Sequence, residues 1–247
     1  MENKTIIYGI RAINEAIESN KSLNKIYIQK GLKGNEANQL INKVRKMGMN
    51  LSFVPIEKLN KLTLKNHQGF VALTSPIKFL SINDLSNLIE NKKTDVNIVI
   101  LDNVTDVRNF GAIVRTAECS GIDCIVIQNS GSAPVNGDTI KTSAGAVFNI
   151  PICKVAHLKD AILLIKQHKI KIFGATEKAT QNVYKSSLKQ PLAIVFGSEG
   201  KGLSNSTIKL CDELIKIPII GKIDSLNVSV AVGTVLFEIL RQKKYNS

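Results

Sequence analysis

The sequence predicts an α/β protein in which a parallel sheet is flanked by helices, preceded by a small N-terminal α/β domain. Three observations carry this. From residue 97 onward six apolar runs recur, "NIVIL" (97–101), "CIVIQ" (124–128), "IPICKV" (150–155), "KIFGA" (171–175), "AIVFG" (193–197) and "ELIKIPI" (213–219). None alternates with period two, as expected when strands are buried on both sides. Helical segments stand between them, the pattern of βα repeats. The charge density also shifts along the chain: residues 1–75 hold 12 Lys+Arg against 5 Asp+Glu, and the remaining 172 hold 21 against 15.

Within residues 1–75 the elements follow in order. A helix is expected near 10–19, with Ile10, Ile13, Ala16 and Ile17 on one side, then a strand "KIYIQ" at 25–29. A second helix spans about 36–47, where Ala37, Leu40, Ile41, Val44 and Met47 recur at helical spacing and Gly48 stands where a capping glycine belongs. "NLSFVP" and "GFVALT" read as two further strands. Residues 76–95 read as a linker, with Pro76, a short helix that Ser81 can cap, and a charged exit. The α/β domain proper is expected over 96–247.

Composition narrows the chemistry. With 247 residues and 44% hydrophobic content the chain can bury a full core. No apolar run of membrane-spanning length and no signal-peptide pattern is present, so a cytoplasmic location is expected. Cys119, Cys124, Cys153 and Cys211 form no C-x-x-C pair and the three histidines are scattered, so no metal site is expected and the thiols read as buried and reduced. A net charge of +13 favours a polyanionic partner, most simply RNA or DNA. With 5% aromatic residues and no Trp, recognition by rows of stacking platforms is not expected, and phosphate contact has to do more.

Ligands of parallel α/β sheets bind outside the carboxyl ends of the strands, and three loops there carry functional residue types. "LDNVTDVRNFGAIVRTAECSG" (101–121) places Asn109 to cap a helix and Arg115 in its second turn. "AIVFGSEGKGLS" (193–204) puts glycines at 197, 200 and 202 around Glu199, with a spacing that is neither a dinucleotide fingerprint nor a Walker loop. "IPIIGKIDSLNVSVAVGTVLFE" (217–238) passes through Ser225 and Asn227 before a helix over 228–241, where both side chains can cap and both can also face a ligand.

Together these three segments resemble the SpoU (TrmH-like) family of RNA ribose 2′-O-methyltransferases, a branch of the SPOUT superfamily, and the resemblance covers nearly the whole chain. "NVTDVRNFGAIVRTAECSG", "IVFGSEGKGLS" and "IPIIGKIDSLNVSVAVGTVLFE" are similar to the family's three motifs in order and separation. "IYGIRAINEAI" through "HQGFVAL" is similar to the L30e-like substrate-binding domain of the subgroup acting on 23S ribosomal RNA. One departure is Val107, where the first motif usually has proline; a looser loop is expected there.

The resemblance implies a SPOUT-type sheet with a C-terminal trefoil knot, a homodimer, and S-adenosyl-L-methionine as cofactor, contacted by Gly197, Ile217 and Leu226. It implies a catalytic set of Arg115, Asn109, Glu199, Ser225 and Asn227. A guanidinium stays protonated and accepts no proton, so Arg115 is expected to clamp a phosphate and stabilise developing alkoxide charge. Asn109 orients Arg115 or the ribose, Glu199 fixes the guanidinium or the cofactor loop, and Ser225 with Asn227 shapes the substrate side. Arg11, Lys43, Arg45 and Lys46 are candidates for holding RNA phosphates. The implied activity is methylation of a guanosine 2′-hydroxyl in 23S ribosomal RNA. A transfer-RNA guanosine 2′-O-methyltransferase and a non-catalytic ribosome-assembly protein are the alternatives.

Overall fold

A computed structural model describes residues 6–18, 21–75, 77–92 and 95–245. The chain divides into two compact units, Met1–Lys78 with Pro134–Gly137, and Phe79–Ala133 with Asp138–Ser247.

The first unit is a four-stranded sheet with three helices. Its elements are β1 (Ile6–Tyr8), α1 (Ile10–Glu18), β2 (Leu23–Gln29), α2 (Asn35–Lys46), β3 (Leu51–Val54), α3 (Ile56–Leu62) and β4 (Phe70–Thr74). The sheet order is β1-β4-β2-β3, with β2 and β3 parallel and the other pairs antiparallel. Ile26, Ile28, Phe70 and Ala72 point to the side where Ile13, Ile17, Leu40 and Val44 of α1 and α2 close the core. Gly48 follows α2 at φ 60 and donates its N–H to the Arg45 carbonyl at 2.9 Å, the expected helix stop. The other side of the sheet is only part-covered: Leu59 and Leu62 of α3 pack there on Val54, Val71, Tyr8 and Tyr27. β1 and α3 escape a reading by periodicity because three and seven residues are too few to show it.

The second unit holds a seven-stranded sheet in which every pairing is parallel. Its elements are α4 (Ile82–Lys92), β5 (Asn97–Leu101), α5 (Val107–Cys119), β6 (Cys124–Gln128), α6 (Gly137–Thr142), β7 (Ile152–Val155), α7 (Leu158–Gln167), β8 (Lys171–Ala175), β9 (Gln181–Asn182), β10 (Leu192–Phe196), α8 (Asn205–Ile208), β11 (Glu213–Lys216) and α9 (Val228–Lys244). The sheet order is β7-β6-β5-β10-β8-β11-β9. Every residue of β5 and β10 is buried, as the uninterrupted apolar runs require.

Several expectations change. The stretch 76–95 is more than a linker, because α4 buries Leu85 and Ile89 in the core of the second unit and Leu80 hydrogen-bonds to β7 on both sides. Ser81 does cap α4: its Oγ accepts from the Asp84 N–H at 3.2 Å and the Asp84 carboxylate accepts from the Ser81 N–H at 2.8 Å. Pro76, Lys93 and Thr94 lie outside the described residues. Cys124 and Cys153 are buried, whereas Cys119 is exposed. Among the described residues no helix is long and apolar enough to cross a membrane, and no group of three His, Cys, Asp or Glu side chains is placed to hold a metal.

Candidate active site

Three strands of the second unit, β8, β10 and β11, end side by side, and the loops leaving them enclose a cavity of about 470 Å³. That is within the range of small-molecule sites. Thr176 and Glu177 line it from the loop after β8, Gly197 and Glu199 from the loop after β10, and Ile217, Ser225, Leu226 and Asn227 from the loop after β11. Val228, Ala231 and Val235 of α9 complete the apolar side.

Gly197 is where backbone meets backbone. The chain turns back on itself here, with the Gly202 N–H donating to the Ser198 carbonyl at 2.9 Å, and a Cβ at position 197 would collide with the Gly202 carbonyl and the Leu203 nitrogen. Gly200 and Gly202 take φ of 82 and 64 to make the turn. The loop is tied down by Asp102, a buried carboxylate just past β5. It accepts from the Ser204 N–H at 3.1 Å, the Thr207 hydroxyl at 2.7 Å and the Asn103 amide at 2.7 Å. These donors offset the cost of taking a charge out of water.

Asn227 joins the three loops. Its Oδ1 caps α9 by accepting from the Ser229 N–H at 2.9 Å and the Val230 N–H at 3.4 Å. Its Nδ2 donates to the Asn109 Oδ1 at 3.0 Å and to the Glu199 Oε1 at 2.5 Å. One amide thus starts a helix and fixes two side chains from distant parts of the sequence. Ser225 lines the cavity but caps nothing among the described residues.

The first motif is built differently from its sequence expectation. Asp106, not Asn109, caps α5, accepting from the Asn109 N–H at 2.8 Å, and Val107 becomes the first helical residue. Proline is favoured at that first position, but the aspartate cap is enough to start the helix with valine there. Arg115 consequently falls in the third turn, not the second. It lies on the exposed flank of α5 that also bears Arg108, seven residues earlier. The adjoining flank, with Thr116, meets Gly233 of α9. Arg115 does not line the cavity, and among the described residues it makes no hydrogen bond or ion pair. Neither Asn109 nor Glu199 holds it.

Thr176 and Glu177 carried no motif signal; their only mark is a place just after the apolar run "KIFGA". Burial pushes the Cys153 thiol up to about 12 and the Cys211 thiol up to about 11, which leaves neither as a thiolate nucleophile near neutral pH.

Comparison with known proteins follows the same lines. A model of the SpoU rRNA Methylase family matches residues 96–237. The chain belongs to that family. A second model, described as RNA 2′-O ribose methyltransferase substrate binding, matches residues 6–80. The 23S rRNA (guanosine-2′-O-)-methyltransferase RlmB of Haemophilus influenzae is 36% identical over 96% of this chain and 97% of its own length. A putative TrmH family tRNA/rRNA methyltransferase of Staphylococcus haemolyticus is 34% identical over 96% of each. Among solved structures, the SpoU methyltransferase AviRb from Streptomyces viridochromogenes in complex with AdoMet shares the fold, with a TM-score of 0.60 and 22% identity over 96% of this chain and 89% of that one.

Proposed function

We propose that this SpoU-family chain transfers the methyl group of S-adenosyl-L-methionine to the ribose 2′-hydroxyl of a guanosine in 23S ribosomal RNA. The single observation carrying the proposal is the joining of Asn109, Glu199 and Asn227 at one edge of the strand-end cavity. Supporting it are the family membership and the full-length likeness to proteins named for that reaction. The cavity suits the cofactor. Glycine at 197 leaves a backbone wall open to hydrogen bonding, while Ile217, Leu226 and Val235 offer an apolar flank for a flat heterocycle. When bound, the sulfonium supplies an electrophilic methyl.

The rest is alignment and charge. Ser225 and Asn227 shape the mouth of the cavity, and Glu199, held by Asn227, keeps the loop after β10 in place. Arg115 grips a phosphate beside the target ribose through its planar fork and stabilises the negative charge that grows on the 2′-oxygen. The proton leaves to phosphate or water, because the guanidinium cannot take it.

Two further features belong to this reading. α9 follows β11 yet packs on α5, which follows β5, while β10 and β8 stand between those two strands. This path back across the sheet supports the trefoil knot. Val230 and Phe237 of α9 are about half exposed, and Arg115 is exposed and does not line its own cavity. Both fit a homodimer in the cytoplasm that covers the apolar face and brings each Arg115 to a complete site.

Mapping 2′-O-methyls across ribosomal and transfer RNA, in cells with and without the gene, tests the assignment. One guanosine in 23S RNA should lose its mark. A missing mark in transfer RNA instead, or none at all, overturns it.

A further inference from the structure

The first unit carries a cluster of cations that none of the motifs uses. On the part-covered side of its sheet, Tyr8 of β1 pairs across to Val71 of β4, Val71 to Tyr27 of β2, and Tyr27 to Ser52 of β3, one continuous cross-strand row. Two ammonium groups lie over the Tyr27 ring, Lys25 Nζ at 5.3 Å and Lys58 Nζ at 5.4 Å from its centroid, and Lys65 Nζ lies 5.8 Å from the Tyr8 centroid. The negative ring faces hold these flexible side chains near one another. Among the described residues none of the three lysines has a carboxylate partner. Three like charges gathered without a counterion repel one another, an arrangement that a polyanion relieves.

The helical side of the same sheet behaves otherwise. Lys43 there is taken up by Glu18 at 2.9 Å and by Asn14 at 2.8 Å, and Arg45 lies against Phe53 at 5.5 Å. Of the helix cations expected to hold phosphates, Lys43 is thus committed within the unit itself, whereas Arg45 makes the same kind of ring contact as the three lysines. Beside Lys65 opens a shallow cavity of about 610 Å³ whose rim includes Gln29, Ile56, Leu64, Asn66 and Gln68. Leu64, in the bend between α3 and β4, is 96% exposed. His67 shapes the floor. Its Nδ1 accepts the Gly69 N–H at 3.0 Å, and its Nε2 lies 2.9 Å from the Asn60 Oδ1.

We infer that the Tyr8–Tyr27 side of the sheet, through Lys25, Lys58 and Lys65, is the phosphate grip of this unit for the RNA substrate, and that the α1–α2 side is not. The inference rests on the proposed RNA substrate and names where it is held. The rings serve to set the ammonium groups, and are themselves capped by them, so the grip is electrostatic and indifferent to base identity. The adjoining cavity, with amides and a bare leucine, takes a neighbouring unstacked nucleotide.

The test compares two triply or doubly substituted full-length proteins binding 23S ribosomal RNA transcribed in vitro, which carries no modification. In Lys25→Ala/Lys58→Ala/Lys65→Ala, Kd should rise by about ten-fold or more near 0.1 M salt and the slope of log K against log salt should shrink by about 2, from roughly 0.7 per phosphate contact. The variant's affinity for S-adenosylmethionine should stay unchanged, and its loss of methylation should lie in KM for RNA, with kcat recovered at high RNA. Arg11→Ala/Lys46→Ala should shift Kd by less than about two-fold. Tyr27→Leu, which keeps an apolar side chain and removes the ring, should weaken RNA binding by about two- to three-fold. Equal salt slopes for the triple variant and the parent protein, or a larger loss in the helix-side variant, overturn the grip while leaving the methyltransferase reading intact. A parent protein that binds no ribosomal RNA overturns both.

Discussion

The seven-stranded sheet builds its cavity where strands end, from backbone turning around Gly197, whereas the four-stranded sheet presents a side: Tyr8 and Tyr27 with the lysines above them. The first arrangement is fixed by topology. Loops after β8, β10 and β11 must meet because their strands are neighbours, and one added methyl group at a crossing point has nowhere to go. The second is a sum of separate charges on exposed stems. Damage should therefore be abrupt in one region and graded in the other.

The sharpest break in that contrast is Gly197→Ala. We expect it to lower affinity for S-adenosylmethionine roughly 100-fold or more, the scale at which an ångström of misplacement is felt, measured by calorimetry, with RNA affinity held. A change under about three-fold removes the claim that backbone closeness builds the cavity.

Arg115→Lys comes next. It keeps the charge and loses the fork, so turnover should fall roughly 100- to 1,000-fold, as for other groups that stabilise an oxyanion, while both ligands still bind. Normal turnover rules out the planar clamp. Because Arg115 stands outside the lining of its own cavity, mixing Arg115→Lys protein with Gly197→Ala protein offers a finer cut. Mixed homodimers in which Arg115 completes the partner's site recover activity; independent sites do not.

Asn227 separates two roles held by one side chain. Asn227→Ala should cost about 1 kcal/mol from the lost helix cap and also release Asn109 and Glu199. Asn227→Ser restores a capping oxygen without the amide donor. Thermal unfolding should recover in the serine variant while methylation stays as low as in the alanine one. Recovery of both together shows that the amide serves only to cap.

These tests bear on what was readable beforehand. The buried strands of the large sheet were legible because every side chain along β10, and every one along β5 after Asn97, is apolar, and a strand-end cavity follows from parallel order. Gly197, Glu199 and Asn227 could be singled out because glycine and capping side chains mark turns. Asn109 was legible as polar and placed wrongly as a cap, since Asp106 three residues earlier has the same capping chemistry and the local pattern does not choose between them. Glu177 and Asp102 were illegible: a carboxylate after an apolar run becomes meaningful only when Thr207 or the cavity is seen beside it. The lysines over Tyr8 and Tyr27 were hidden by distance in sequence, since Lys58 meets Tyr27 only once α3 folds onto the sheet.

The smallest effect lies at the far end of α9, away from the cavity. The Glu238 carboxyl is held below its ordinary value of 4.5, first by the hydrogen bond from Arg241 and also by that from Gln242. A lowered native value means stability that is present above the ordinary value and lost as pH falls through the native one. Glu238→Gln should therefore melt slightly lower than the parent near pH 7, and the gap should close below pH 4.5. A gap independent of pH shows that the ion pair contributes nothing beyond packing.

The most direct measurement incubates purified protein with S-adenosylmethionine labelled on its methyl group and unmodified 23S ribosomal RNA, then locates the label after alkaline hydrolysis. The account predicts label in one alkali-resistant dinucleotide whose 5′ residue is guanosine. Label on a base, label spread over many nucleotides, or none under conditions where the RNA and the cofactor both bind, contradicts it.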